Sequence, residues 1–384
     1  MKVLYDHQAF TMQYFGGVSK CFCELISHLP SEINAQISII ESNNIHLQDA
    51  NLCPNIKPVS YDIQTFISKY KFKGKGFLYS LVNNNLAFLP TTENLNRKRS
   101  IELIKNNNFD IFHPTFFDDY FLKYLKGKPF VLTIHDMMPE IFPEYFKKND
   151  SQIILKKKLI KEASAIIAVS EKTKSDIVEI LNVPQNKIEV IYHGGPQIEI
   201  IKEKSLYNFP YFLYVGQRWG YKNFTQLLKD FSILVKKQKS IKLVCTGPLF
   251  TQEEQLLINK YNLKENIVHH KASNHQLKIL YANAIAFIYP SLYEGFGMPI
   301  LEAFAYGCPV LLNNKSCFPE IASNSAIYFD SDNTYSNITD VMIDAINWSK
   351  DKRQNIINLG YERLKYFSWE KSARKLANLY KSII

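Results

Sequence analysis

Nowhere does this sequence carry an uninterrupted apolar run of the roughly 18 residues needed to span a bilayer, so no membrane-crossing helix is expected. It opens MKVLYDHQAF, where Asp6 and His7 cut the apolar stretch short of a signal-peptide core, and the start reads as a strand. Cysteine is sparse. Cys21, Cys23, Cys53, Cys245, Cys308 and Cys317 show neither the spacing of a zinc site nor a disulfide framework, and Cys21 and Cys23 would fall on different sides of a helix. A disulfide-stapled secreted scaffold is thereby excluded, and a reducing cytosol is the natural setting. No low-complexity tract suggests disorder. Acidic residues are outnumbered, 36 against 46 basic, giving a formal net charge of +10. Such a surface attracts anions: nucleic acid, phosphorylated ligands or acidic lipid headgroups. The aromatic residues are not arranged as a nucleic-acid module, so no nucleic-acid partner is expected.

What is present is length and alternation. A chain of 384 residues exceeds one ordinary core. Short β-branched runs alternate with helical-period segments throughout, the pattern of α/β domains with parallel sheets. Strands are expected at Lys2–Tyr5, Ala35–Ile40, Ile111–His113, Phe130–His135, Ala165–Val169 and Ile188–Ile191, then at Phe212–Val215, Lys242–Cys245, Ile267–His269, Ala286–Tyr289, Val310–Leu312 and Ala326–Tyr328. The stretch His193–Pro210 has the composition of a linker. Residues 1–195 and 196–365 therefore read as two Rossmann-like domains, with 366–384 a closing amphipathic helix that packs back on the first. Basic residues concentrate in Ser68–Phe77 and Phe146–Lys161, which suits either an anionic membrane interface or a solvated lysine-rich face.

The most informative segment is YPSLYEGFGMPILEAFAYGCPVL. A strand ending near Tyr289 leads through a glycine loop into a helix entered at Pro299. Gly295 and Gly297 permit close backbone approach, and the free amides of the helix start favour an anion such as a diphosphate. Glu294 and Glu302 face the same cleft; carboxylates there need hydroxyl partners, which a sugar and a ribose supply. A tight turn with Glu302 as a helix-dipole partner is the plainer alternative.

This segment resembles, nearly residue for residue, the signature of the retaining glycosyltransferases of family 4, which share the two-domain GT-B architecture. The resemblance implies that Glu302 binds the ribose, that Glu294 binds the transferred sugar, and that the amides of Phe296, Gly297 and Met298 lie against sugar and phosphate. In YVGQRWGYKNF, Lys222 matches the family's basic residue well. Arg218 follows Gly216 one place later than the family's usual arginine, with Gln217 in that position; both cations would reach the diphosphate. In YFGGVSKCFCELISHL, Gly16 and Gly17 would approach the donor phosphates. His135 and Asp136 of TIHDMMPEIFPEYF stand at a strand's carboxyl edge, with His135 beside the transferred sugar and Asp136 on the acceptor side. FHPTFFDDY resembles the loop lining the acceptor side, placing His113 and Asp118 there, with helix capping as the alternative. Glu320 of SCFPEIASNSAIYFD reads as structural.

The implied reaction is glycosyl transfer with retention, driven by stabilisation of the leaving diphosphate by Lys222, Arg218 and the helix amides. No Asp-x-Asp motif flanks the glycine loop and no carboxylate nucleophile stands out; neither metal nor cofactor is expected, the nucleotide-sugar being a substrate. GDP-mannose is favoured by the GGVSK and TIHDMMPE segments, with UDP-sugars open. A glycan or lipid-linked glycan acceptor, presented at the inner face of the cell membrane for surface polysaccharide, would fit. A nucleotide-sugar epimerase or phosphorylase of the same fold, or an inactive membrane-associated binding protein, are the competing readings.

Overall fold

The structure, a computed structural model, describes residues 1–59, 74, 75, 78, 91–146, 150–331 and 337–384. Most of the basic segment Ser68–Phe77, and Lys147 and Lys148 of the second, lie outside the described residues.

All twelve expected strands form. They are β1 (Lys2–Tyr5), β2 (Asn34–Ile37), β3 (Ile111–His113), β4 (Val131–Ile134), β5 (Ala165–Ala168), β6 (Ile188–Val190), β7 (Tyr211–Val215), β8 (Lys242–Thr246), β9 (Ile267–His269), β10 (Phe287–Tyr289), β11 (Val310–Asn313) and β12 (Ile327–Phe329). Strand β2 stops three residues short of the expected Ile40. The side-chain carbonyl of Asn96 accepts from the amides of both Ile40 and Glu41, at 2.8 and 3.0 Å, and takes the backbone out of the ladder.

The first six strands make two parallel three-stranded ladders, β2-β1-β3 and β4-β5-β6, joined by a single bridge between Phe112 and Phe130. The last six form one parallel sheet in the order β12-β11-β10-β7-β8-β9. Numbered within its own half, that is the doubly wound order 6-5-4-1-2-3, which reverses direction between β7 and β10. Both sheets are covered on two faces, so their strands read as continuous apolar runs. In β7, Tyr211 and Leu213 join one core while Phe212 and Tyr214 join the other. In the first sheet Val3 and Tyr5 face one cluster and Leu4 the other.

The chain passes between the halves twice, and the passages lie side by side. Gly195 donates its amide to the Phe367 carbonyl at 3.0 Å, and a Cβ on Gly194 would sit 2.4 Å from the Trp369 nitrogen. The closing helix Trp369–Ser382 then lies on the first sheet's outer layer, burying Trp369, Leu376, Ala377 and Tyr380 among Val3, Tyr5 and Phe22. Its Tyr380 hydroxyl meets the Tyr5 hydroxyl at 2.7 Å and Nδ1 of His113 at 2.6 Å, all of them fully buried.

Removing the shared hydroxyl leaves two buried polar groups short of a partner, a loss of about 1–3 kcal/mol. Tyr380→Phe is therefore expected to lower the denaturant midpoint of unfolding with an unchanged slope; a midpoint equal to wild type would show that the buried triad contributes nothing.

Candidate donor-binding site

The loops that follow β7 and β10 leave the second sheet toward opposite faces, which opens a crevice at their carboxyl ends. The loop after β7 runs from Gly216, held at φ 112°, into a single turn over Gly220–Lys222; Asn223, left-handed at φ 57°, redirects it into the helix Phe224–Lys237. The loop after β10 supplies Glu294. Nζ of Lys222 lies 2.6 Å from Oε1 of Glu294, with the two side chains 14% and 11% exposed. A lysine and a carboxylate thus occupy the reversal point of the sheet as a half-desolvated pair.

Downstream, the loop is pinned to the first half of the chain. The Gly295 carbonyl accepts from the hydroxyls of Ser170, at 2.6 Å, and Thr173, at 3.3 Å. Ser170 also caps the helix Glu171–Leu181 through the Thr173 amide. The Tyr293 hydroxyl donates to Asp176 at 2.8 Å. A Cβ on Gly295 would stand 1.7 Å from the carbonyl oxygen of His135, so only glycine fits. The ring of Phe296 is buried with its centroid 4.7 Å from that of His193.

Gly297, at φ 92°, is the N-cap of the helix Met298–Ala305. Pro299 is its second residue rather than its first, and Glu302 lies in the second turn rather than at the dipole end. There Glu302 meets Lys20, at 2.9 Å, from the helix Gly17–Ser27 across the cleft. Gly17 opens that helix, and Gly16, extended at φ −175°, caps it. Lys20, Gly194, Met298, Glu302, Tyr306 and Trp369 border a cavity of about 580 Å³, within the range of small-molecule sites. Of the expected residues, Met298 and Glu302 border this cavity, while Lys222 and Glu294 pair where the sheet order reverses.

Arg218 is a correction. Its side chain is 2% exposed, its Nε and Nη2 bind Glu254, and Nη2 also donates to the Pro248 and Leu249 carbonyls at 2.6 and 3.1 Å. The rings of Phe250 and Phe224 flank the guanidinium. It holds the loop after β8, while Gln217 is exposed at the position where the resemblance places an arginine. His113 is a second correction: fully buried, it donates or accepts at Tyr380 and at Thr133, 2.9 Å away, and does not line a surface.

His135 ends β4 with its Nε2 buried and without a partner among the described residues. Burial holds it neutral, its pKa down to about 4. Asp136 accepts the Met138 amide at 3.1 Å, two residues ahead of the short helix Met138–Ile141. Asp118 pairs with Arg97 and borders a second cavity of about 310 Å³ with His7, Gln8, Thr11, Phe116 and Phe117. Glu320 is structural: its carboxylate accepts the amides of Glu171 and Lys172 at 2.7 and 3.0 Å. Lys20, Ser170 and Thr173, which hold Glu302 and the Gly295 carbonyl, are positions that sequence reasoning passed over. For Lys20 a signal existed, since it lies one helical turn beyond Gly17.

Two family models match in succession, Glycosyltransferase Family 4 over residues 15–194 and Glycosyl transferases group 1 over residues 197–363. The chain belongs to the family 4 glycosyltransferases, and its fold is GT-B, two Rossmann-like domains facing across a cleft. It is 32% identical over 206 residues to the O-antigen chain mannosyltransferase RfbU of Salmonella typhimurium, a match covering 53% of this chain and 58% of that protein. It thus spans somewhat more than half the length of that relative. To the O-antigen chain mannosyltransferase B of Escherichia coli it is 27% identical over 268 residues, 65% of this chain and 70% of that one. Among solved structures, the Anabaena protein HepE in complex with UDP and glucose superposes with a TM-score of 0.71 at 15% identity, over 100% of both chains.

Two outcomes follow from this geometry. Gly295→Ala forces the donor loop and the His135 carbonyl apart; turnover on a nucleotide-sugar is expected to fall on the order of 100-fold, the scale of an ångström of misplacement, while the circular dichroism spectrum is retained. Full activity would show that the contact is dispensable. The second concerns pH. Burial lowers His7, His113 and His193 to about 3 and His135 to about 4, from an ordinary 6.5. The unfolded chain takes up these protons below 6.5 and the folded chain refuses them, so stability is full above 6.5 and falls as pH drops from 6.5 toward 4. Each histidine adds about 1.4 kcal/mol per pH unit within that window. Urea unfolding at stepped pH should show this slope, reduced by one proton in His135→Gln; a flat profile would contradict neutral burial.

Proposed function

We propose that the protein transfers a hexosyl group, mannosyl from GDP-mannose by preference, to a hydroxyl of a glycan or lipid-linked glycan in the assembly of surface polysaccharide. A UDP-sugar is the alternative donor. The observation that carries the reading is the Lys222–Glu294 pair at the reversal point of the second sheet, beside the glycine loop and the start of the helix Met298–Ala305. Support comes from the two relatives named as O-antigen chain mannosyltransferases.

In this reading the donor diphosphate lies at the free amides of the helix start, where the dipole favours anions. Lys222 swings from Glu294 to the phosphate and stabilises the charge that grows on the leaving group. Glu294 then accepts from hydroxyls of the sugar, and Glu302 exchanges Lys20 for the ribose hydroxyls. His135, neutral, offers a hydrogen bond at the sugar. Transfer with retention and without a metal is part of this proposal.

The acceptor site is assigned to the second cavity. It lies at the loops after β1 and β3, where the order of the first sheet also reverses, and it combines the phenyl rings of Phe116 and Phe117 with Gln8, Thr11 and Asp118. Aromatic faces bordered by polar side chains suit a pyranose ring. No helix among the described residues is long and apolar enough to cross a membrane; an acceptor presented at the inner membrane face would be met by peripheral contact.

GDP in hundredfold excess over its Kd is expected to stabilise the folded protein by about 2.7 kcal/mol, visible as a raised melting temperature. Glu302→Gln should weaken donor binding on the order of ten- to hundredfold, the loss of a charged hydrogen bond, with the melting temperature of the free protein kept. If neither GDP nor UDP shifts melting, or if the variant turns over GDP-mannose at the wild-type rate, the assignment fails.

A further inference from the structure

Behind the donor loop lies a cluster of which the proposed sugar chemistry uses only His135. Cys21, on the inner face of the helix Gly17–Ser27, His135 at the end of β4 and His193 at the first passage between the domains each present one ligand atom, all within 4.8 Å of one another. Sγ of Cys21 and Nδ1 of His193 are 3.2 Å apart, and the rings of His135 and His193 have centroids 6.0 Å apart. Cys21 and His193 are 1% and 7% exposed, and Nε2 of His135 is buried with no partner among the described residues.

One thiol and two imidazoles converging from three separate segments form the donor set that binds zinc and other soft or borderline divalent ions. Zinc takes sulfur at about 2.3 Å and imidazole nitrogen at about 2.0–2.1 Å, which sets ligand atoms roughly 3.3–3.7 Å apart in a tetrahedron. The Cys21–His193 separation is near that value already, and the widest separation in the cluster closes with an ångström of side-chain movement. The spacing rule for zinc sites is blind to this trio, because the ligands are separated by more than a hundred residues in one interval and more than fifty in the other.

We propose that Cys21, His135 and His193 form a transition-metal site, filled by Zn²⁺ with an exchangeable water in the fourth position, and that its occupancy suppresses the enzyme. Binding replaces the Cys21 thiol proton, which goes to solvent, by a sulfur–zinc bond. The consequence for the donor side follows from the neighbours. The carbonyl of His135 abuts Gly295, the ring of His193 packs on Phe296, and Lys20, next to Cys21, holds Glu302. A bound ion draws the His135 ring away from the cleft and stiffens the wall against which the donor loop packs. The metal-binding claim stands by itself, and the suppression of turnover rests on the proposed function.

Cobalt reports on the site directly, since a thiolate bound to Co²⁺ gives a sulfur-to-metal charge-transfer band in the near ultraviolet. Titration of the full-length protein with Co²⁺ is expected to give that band at one equivalent, and Zn²⁺ should abolish it. Cys21→Ser should remove the band, and His193→Asn should weaken Co²⁺ binding tenfold or more. Both variants are checked by circular dichroism, so that one reports where the other fails to fold. No band at one equivalent, or a band that survives in Cys21→Ser, overturns the site. In turnover of GDP-mannose, Zn²⁺ should inhibit the wild type in step with site filling and spare Cys21→Ser; equal inhibition of both would overturn the suppression while leaving the cobalt result intact. Absence of turnover without metal, with the cobalt band present, would count against the proposed function and not against the site.

Discussion

The geometry of the donor side depends on one backbone contact, the carbonyl of Gly295 held by the hydroxyls of Ser170 and Thr173. Three residues on one stripe of the helix Glu171–Leu181 and its cap, Ser170, Thr173 and Asp176, take hold of Gly295 and Tyr293 from the other domain. Glu320 closes the same helix end from the second domain by accepting its first amides. The first domain therefore reads the donor loop through backbone as well as side chains, which explains why a residue with no Cβ stands at 295. Any bulk there would separate the loop from His135 and move Glu294, its neighbour, away from the point where the sheet reverses.

Charge completes what that contact positions. Left unpaired, Glu294 and Glu302 would repel an anion brought near them, since like charges in a half-desolvated crevice interact far more strongly than in water. Each is instead matched by a lysine, Glu294 within its own domain and Glu302 across the cleft. Within each pair the two charges cancel. In the proposed reading, where Glu302 takes the ribose hydroxyls, the Lys20 pair that spans the cleft must part as the donor binds, because one carboxylate cannot serve Lys20 and two hydroxyls equally well.

Much of this was legible in the sequence, and what was not has a common cause. Strand positions followed from apolar runs because both sheets are covered on two faces. The glycine loop and its two glutamates were readable because seven residues and one helix start fix their relation. Arg218 was misread because its partner Glu254 and the carbonyls of Pro248 and Leu249 belong to the next loop over, beyond any local pattern. His113 looked like a cleft residue at a strand end, whereas its partner Tyr380 arrives from the far end of the chain. Cys21 and His193 met for the same reason. Local periodicity reports which face a residue takes, and says nothing of what a distant segment brings to that face.

The contact between the domains has two ends, and both carry apolar packing. At the paired passages the contact is apolar and close-packed: Gly194 and Gly195 admit Trp369 and Leu364 to within a Cβ's width, and Phe296, Phe367 and Tyr192 interlock beside them. Around the donor loop it combines a few hydrogen bonds and the Lys20–Glu302 pair, each worth about 1 kcal/mol net because water replaces them when broken, with an aromatic contact in which Phe142, Tyr145 and Phe146 meet Tyr221, Tyr293 and Trp219. Separation at the loop would expose that aromatic contact along with polar groups that water satisfies. Separation at the passages would expose aromatic surface and tear two chain crossings. Opening the cleft at the loop would break the Lys20–Glu302 pair and the Gly295 clasp together and part Phe142 from Tyr221 and Tyr293, so polar and apolar contacts hold that side of the cleft jointly.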